Sequence, residues 1–328
     1  VKMSGIRGRS SPHRSVLWSL VLLIVLVVIA VFALYSGVAG NESVIIWNIR
    51  APRVATAAAV GAGLAIAGVL LQGALRNPLA DPALVGVSAG AALGAVIAAA
   101  LGISYNTFLS ACIAVLTASI AIGLVLWVAS SQGRIEVVTV LLGGIAITAF
   151  AAAVVSVIVT ASDLAGSRTV SFWTTGSFAL ANWLGFVSMI PAMVLGTAIA
   201  LAIARPLDIF ALGDSAAFAS GVPVAKIRIA ALFAAVLLTA TGVAVVGIIA
   251  FVGLLIPHAV RLLIGPSHRA LIIVSGLAGA VVLVLADTAS RLLLSPIELP
   301  VGAVTAIVGA PLFLVLVSSA RARQGGWA

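Results

Sequence analysis

Long apolar runs separated by short polar interruptions set the pattern of this chain. The first uncharged run predicts a span over Val16–Val38. It exceeds the about 7 to 15 apolar residues of a signal peptide, so it stays in the membrane as the first helix. Arg50-Ala51-Pro52-Arg53 then interrupts the pattern, Pro52 fits a helix start, and Val54–Leu75 is the second span. Between Asp81 and Arg134 there is room for spans three and four, divided by the turn Gly102-Ile103-Ser104-Tyr105-Asn106. Glu136 and Asp163 bracket the fifth. Thr169–Ala204 is too long for one ordinary helix and predicts a short re-entrant helix followed by span six. Spans seven and eight lie within Ile229–Val260, the eighth short and broken by Gly253 and Pro257. Ala270–Ala286 begins span nine, and Leu299–Ala320 is span ten.

Composition supports the count. Of 328 residues 63% are hydrophobic and 8% charged, against about 25% charged in a soluble domain. A spanning helix takes about 20 apolar residues, so the apolar content supplies about ten. Continuous runs, rather than alternating segments of about ten residues, exclude a transmembrane barrel. The fold class is an all-α polytopic membrane protein, with residues 1–328 as one transmembrane domain. A net charge of +9 would suggest nucleic acid in a soluble chain; here it reads as topology, and membrane lipid is the surroundings. With the N-terminal tail 1–15 inside, thirteen basic residues fall on the inner side. Only Arg50, Arg53, Arg168 and Arg291 fall outside, as the positive-inside rule requires. Both termini are then cytoplasmic.

Re-entrant backbone survives at membrane depth only where protein or a water-filled cavity satisfies it. Phe172–Ala179, with Trp173 and Gly176, is therefore a candidate pore-lining element, or alternatively an interfacial aromatic anchor. The polar stretch 205–228 holds a short helix: Asp214 or Ser215 suits its N-cap, Gly221 the left-handed position after it, and Pro223 prevents continuation. It reads as a connector or as a surface helix for a partner. Gly86, Gly90 and Gly94 form a small-residue stripe for helix packing. Gly63, Gly68 and Pro78 repeat 179 residues later as Gly242, Gly247 and Pro257. Because span two runs inward and span seven outward, such a repeat is inverted, as in many transporters.

Much chemistry is missing from the sequence. The only lysines are Lys2 and Lys226, so no P-loop exists. His13, His258 and His268 are isolated, no HExxH occurs, and Cys112 stands alone in an apolar run; no metal or cofactor site is expected. Met189 and Met193, one turn apart, read as packing. Asp287 is the nearest approach to an intramembrane acid, and Arg291 one turn later neutralises it. This leaves little for a proton-coupled secondary transporter.

Six blocks in order resemble the FecCD-type permeases of bacterial ABC importers for ferric siderophores, haem and cobalamin. These are Arg50-Ala51-Pro52-Arg53; Gln72 with Asn77-Pro78-Leu79-Ala80-Asp81-Pro82; Gly86-Val87-Ser88-Ala89-Gly90-Ala91; Ala211-Leu212-Gly213-Asp214 with Gly221-Val222; Gly253-Leu254-Leu255-Ile256-Pro257-His258 with Arg261; and Glu298-Leu299-Pro300-Val301-Gly302. Ala51 stands where the family usually has Leu. The resemblance implies the type II importer permease fold. It also implies that Arg50, Arg53 and Arg291 pair with acidic residues of a substrate-binding protein. Gly213, Asp214, Gly221 and Val222 would belong to a coupling helix seated in an ATPase groove, and Asn77 and Leu79 to a cytoplasmic gate. His258 and Arg261 match a motif to which no role is attached.

The expectation is a permease subunit in the bacterial inner membrane, without catalytic residues of its own. It would pair with a second permease subunit and with P-loop ATPase subunits that bind the ATP. Its cargo would be an iron chelate, siderophore or haem, with cobalamin as the alternative.

Overall fold

The computed structural model describes residues 12–37, 40–131, 134–162, 170–211 and 213–323. Among them, seven helices are long and apolar enough to cross a bilayer, and three shorter apolar helices bring the number to the expected ten. In chain order the helices are α1 (Pro12–Tyr35), α2 (Ser43–Ile45), α3 (Ala51–Ala74), α4 (Val87–Ala100), α5 (Phe108–Ala129), α6 (Val137–Ala161), α7 (Val170–Thr175), α8 (Trp183–Phe210), α9 (Asp214–Ala219), α10 (Val224–Val246), α11 (Val252–Ile264), α12 (His268–Leu292) and α13 (Val301–Arg323). A two-residue antiparallel pair, Ser130–Ser131 with Arg134–Ile135, is the only strand structure in the described residues. The N-terminal tail expected through residue 15 is shorter, since α1 already runs from Pro12; residues 1–11 lie outside the described residues, as do Asp163 and Arg168.

α3 and α10 form the centre and are largely buried, whereas α1 lies at the periphery against α12. Small residues permit this packing, because helices approach closely in lipid only where side chains leave room. Gly61 and Gly279 face each other across α3 and α12, each occupying the space where the other would place a Cβ. Gly68 lies against the Gly253 carbonyl of α11 in the same way. The Gly90–Gly94 stripe packs on Ala114, Thr117 and Ala118 of α5, and Gly86 on α6, so it serves packing within the subunit.

Three boundaries differ from the sequence reading. The second span does not start after Pro52: Ser43–Ala74 is one continuous helix, with a π-helical turn over Ile46–Arg50. Pro52 sits just after that widened turn, which accommodates the missing N–H. The connector expected at 205–228 is shorter, because α8 continues through Arg205 and Asp208 to Phe210 and α10 already begins at Val224. In span eight neither Gly253 nor Pro257 makes the break. The break is Gly247–Phe251, and both residues lie inside α11.

Pro257 has no N–H to offer the carbonyl four residues back, that of Gly253. Gln72 of α3, buried, supplies the replacement: its Nε2 donates to the Gly253 carbonyl at 3.2 Å and to that of Leu254 at 3.3 Å. Asp81, in the turn between α3 and α4, faces the same helix start and accepts from the backbone of Ala83 at 2.8 Å. Burial pushes its carboxyl up to about 6, against the opposing pull of the Ala83, Leu84 and Leu254 N–H groups.

The inverted repeat is visible in part. Gly63 meets Leu238, and Gly242 meets Val60, a reciprocal contact between antiparallel α3 and α10. The short helices α4 and α11 each follow irregular backbone and a left-handed residue, Gly86 at φ 86° and Phe251 at φ 69°. Pro78 and Pro257 do not correspond: one lies in a turn and the other within a helix.

Replacing Gln72 with Leu should leave the Gly253 carbonyl unpaired and cost about 1–3 kcal/mol. The check is the thermal unfolding temperature of the purified protein in detergent, with Gly253→Ala as a packing control.

Candidate functional site

The short helix expected before span six is α7. Its end, the end of α10 and the start of α13 meet at one junction, where backbone groups that helices leave unpaired find each other. Ser177 N–H donates to the Val246 carbonyl at 2.8 Å, Ile248 N–H to that of Trp173 at 3.2 Å, and Gly302 N–H to that of Gly176 at 3.4 Å. Gly176 and Gly247 hold left-handed conformations, φ 62° and 78°, and Gly302 lies directly against the Thr175 carbonyl. No side chain fits at these approaches.

Trp173 is buried here, with ring centroids 5.3 Å from Phe172 and 5.9 Å from Tyr105. It forms one wall of a recess of about 530 Å³, shared with Ala89 and Ala92 of α4, Thr148, Ala151 and Val155 of α6, and Ile248. No titratable side chain lines it. Trp173 thus stands at the recess, while Gly176 turns the chain behind it.

Arg50, Arg53 and Arg291 gather at one end of the bundle, but as buried groups. Arg53 Nε donates to both oxygens of Asp287, at 2.9 and 3.1 Å, and its Nη1 to both oxygens of Glu298, at 3.1 and 3.0 Å. Arg291 Nε lies 3.4 Å from Asp287 Oδ2, so the local pair expected from the sequence is one side of a larger cluster. The remaining donors reach α1: Arg50 Nη1 donates to the Leu34 carbonyl at 2.9 Å and Arg291 Nη2 to that of Ala33 at 3.2 Å. Two guanidinium groups therefore cap the carbonyls at the end of α1, where positive charge also complements the helix dipole. The sequence reading missed Asp287 and Glu298 as partners of Arg53, because they lie more than 230 residues away.

At the opposite end, about 36 Å away along the 24 residues of α3, lies α9. Its N-cap is Gly213 at φ 104°, rather than Asp214 or Ser215. Asp214 opens the helix; its side chain lies outside the described residues. Gly221 is left-handed at φ 73° as expected. Val222 N–H reaches the Ala217 carbonyl at 3.0 Å and Gly221 N–H that of Phe218 at 2.9 Å, a Schellman ending. α9 carries Phe218 outward, 80% exposed. Nearby, Asn77 Oδ1 accepts from Leu79 N–H at 3.0 Å, forming a tight turn that leaves Leu79 at the surface. Asn77 and Leu79 line neither the recess at Trp173 nor the junction at Gly176.

The profile of the FecCD transport family matches residues 14–319. The chain is 40% identical over 296 residues to the cobalamin import system permease protein BtuC of Halobacterium salinarum, covering 88% of this chain and 78% of that one. It is 38% identical to the hemin transport system permease protein HmuU of Yersinia pestis, covering 86% and 85%. A solved inward-facing conformation of a putative metal-chelate type ABC transporter superposes with a TM-score of 0.79 at 34% identity, over 93% of this chain and 99% of that one. PsaBC from Streptococcus pneumoniae, at 17% identity and a TM-score of 0.60, shares the fold.

Removing one partner of a buried ion pair leaves the other charge uncompensated, at about 3–5 kcal/mol. Arg53→Ala and Asp287→Ala should each lower the unfolding temperature steeply. The double variant should cost less than their sum, as measured by a double-mutant cycle in detergent.

Proposed function

The chain belongs to the FecCD transport family, and from that premise we propose that it is the permease subunit of an ATP-driven importer for an iron chelate, ferric siderophore or haem. As a multi-pass membrane protein of this family it is a transport component. The direction, the cargo and the partners are our reading. The observation that carries the cargo class is the recess at Trp173, walled by alanine, valine, threonine and tryptophan without an ionisable ligand. A bare ion finds no coordinating group there. A bulky chelate, its metal already coordinated, needs only an apolar wall. The names of the relatives span cobalamin, hemin, iron-hydroxamate and molybdate, so cobalamin remains the second reading. Selection among chelates then lies with an external binding protein.

In this reading the α9 end faces the cytoplasm of a bacterium and the Arg53 end faces outward. Two permease subunits enclose the pathway between their recesses. Each seats α9, bounded by Gly213 and Asp214 at its start and Gly221 and Val222 at its end, in one P-loop ATPase. Asn77 and Leu79 form the inner gate, and Trp173 with Gly176 borders the pathway on the outer side. Because Arg50, Arg53 and Arg291 are engaged within the subunit, their part in docking is to fix the outer ends of α1, α3 and α12, on which the binding protein rests. ATP then shifts the pair between outward-open and inward-open states through differential contacts.

Vesicles reconstituted with the permease, its co-purified ATPase and the cognate binding protein should take up a ferric siderophore or haem only with ATP inside. Uptake of cobalamin alone would transfer the assignment to the second reading, and uptake by the permease alone on a proton gradient would remove the importer reading. Trp173→Ala should lower the uptake rate about tenfold or more while leaving ATPase assembly intact, read by size-exclusion chromatography.

A further inference from the structure

A second recess lies at the α9 end, about 700 Å³ in volume, bordered by Gln72, Arg76, Leu207, Ala211, Arg261 and His268. It joins the ends of α3, α8 and α11 to the start of α12, at the root of the connector that carries α9. Its basic groups are held in place at a cost that the fold itself does not require. Arg76 terminates α3 in the left-handed conformation, φ 49°. Its N–H bonds the Gly73 carbonyl at 3.3 Å, and Asn77 N–H that of Gln72 at 3.2 Å. This is the same Schellman ending that Gly221 gives α9, and glycine would adopt it without strain. Arg261 is half-buried, yet its guanidinium has no hydrogen bond or ion pair with any described residue. Desolvating a guanidinium without an anion is unfavourable. The nearby acid, Asp208, is turned to His268, with Oδ1 accepting from the His268 backbone N–H at 2.8 Å and lying 2.7 Å from its Nδ1. That pairing fixes α12 to α8 and forms the wall of the recess.

We propose that this recess is a socket for an acidic side chain of the ATPase, engaged by Arg261 and Arg76 beside the α9 contact. The inference rests on the ATPase-coupled reading and adds a charged contact to it. A carboxylate fits because guanidinium groups grip it bidentately. Continuity identifies the donor: Ala211 lines the recess, and a Cβ at Gly213, the cap of α9, would lie 3.7 Å from Arg76 Nη1. A protein that receives α9 and its exposed Phe218 therefore also covers the recess. The apolar helix provides contact area, and the socket provides register and salt sensitivity.

The test uses the full chain and its co-purified P-loop ATPase. Arg261→Gln and Arg76→Gly should each weaken the complex about tenfold, with a flatter salt dependence of the affinity. The unfolding temperature of the isolated permease should be unchanged for Arg261→Gln and unchanged or raised for Arg76→Gly. Phe218→Asp separates the two levels of the argument. If it weakens the complex and the arginine variants do not, the socket is overturned while the ATPase reading stands; if none of the three matters, the ATPase reading fails with it. Stabilisation of the isolated permease by millimolar inorganic phosphate, lost in Arg261→Gln while ATPase affinity is kept, would show a free-anion site and also overturn the socket.

Discussion

Backbone polar groups inside hydrocarbon must be satisfied by protein, and the structure is organised around places where helices break this rule and neighbours restore it. At the junction of α7, α10 and α13, three helix ends exchange hydrogen bonds through Ser177, Ile248 and Gly302. At the start of α11, Gln72 replaces the donor that Pro257 lacks. Both breaks stand next to α3 or α10, the two most buried of the seven long apolar helices. An irregular segment can persist only against a wall of protein, so the central helices supply the groups that let the outer ones be interrupted.

The interruptions shape the recess. Ile248, in the break after α10, and Trp173 with Thr174, in the short α7, line it. The glycines at 176, 247 and 302 complete the arrangement by admitting carbonyls where a Cβ cannot fit. Packing and recess are therefore one problem here: close backbone approach, which holds lipid-embedded helices together, also leaves an apolar chamber without titratable side chains.

The apolar helices were legible because sparse charges and long apolar runs report on the bilayer directly, residue by residue. The break at Gly247–Phe251 was not, since its residues are as apolar as a helix interior and the groups that pair its backbone, the Trp173 carbonyl and the Ser177 N–H, are remote in sequence. The same applies to the arginines. Arg50, Arg53 and Arg291 were readable as an outer-end group, but their burial against Asp287, Glu298 and the end of α1 depends on tertiary contacts across 16 to 258 residues. The family resemblance supplied roles for motifs, such as that of Gly221, whose local geometry the sequence had already suggested. It had no role to give Arg261, whose guanidinium is seen only in three dimensions to lack a partner among the described residues.

The two ends of the bundle treat charge differently, and that difference carries functional weight. At the Arg53 end, Asp287 and Glu298 meet Arg53 and Arg291, and the leftover donors cap α1; charge is consumed within the subunit. At the α9 end, Asp208 is held by His268 and Arg261 stays uncompensated among the described residues. In the proposed importer this division suits a subunit that changes its partners' states through one face. Internal neutralisation makes the first end a fixed platform. Uncompensated charge makes the second end responsive, because its electrostatic energy changes only when an anionic surface arrives or leaves.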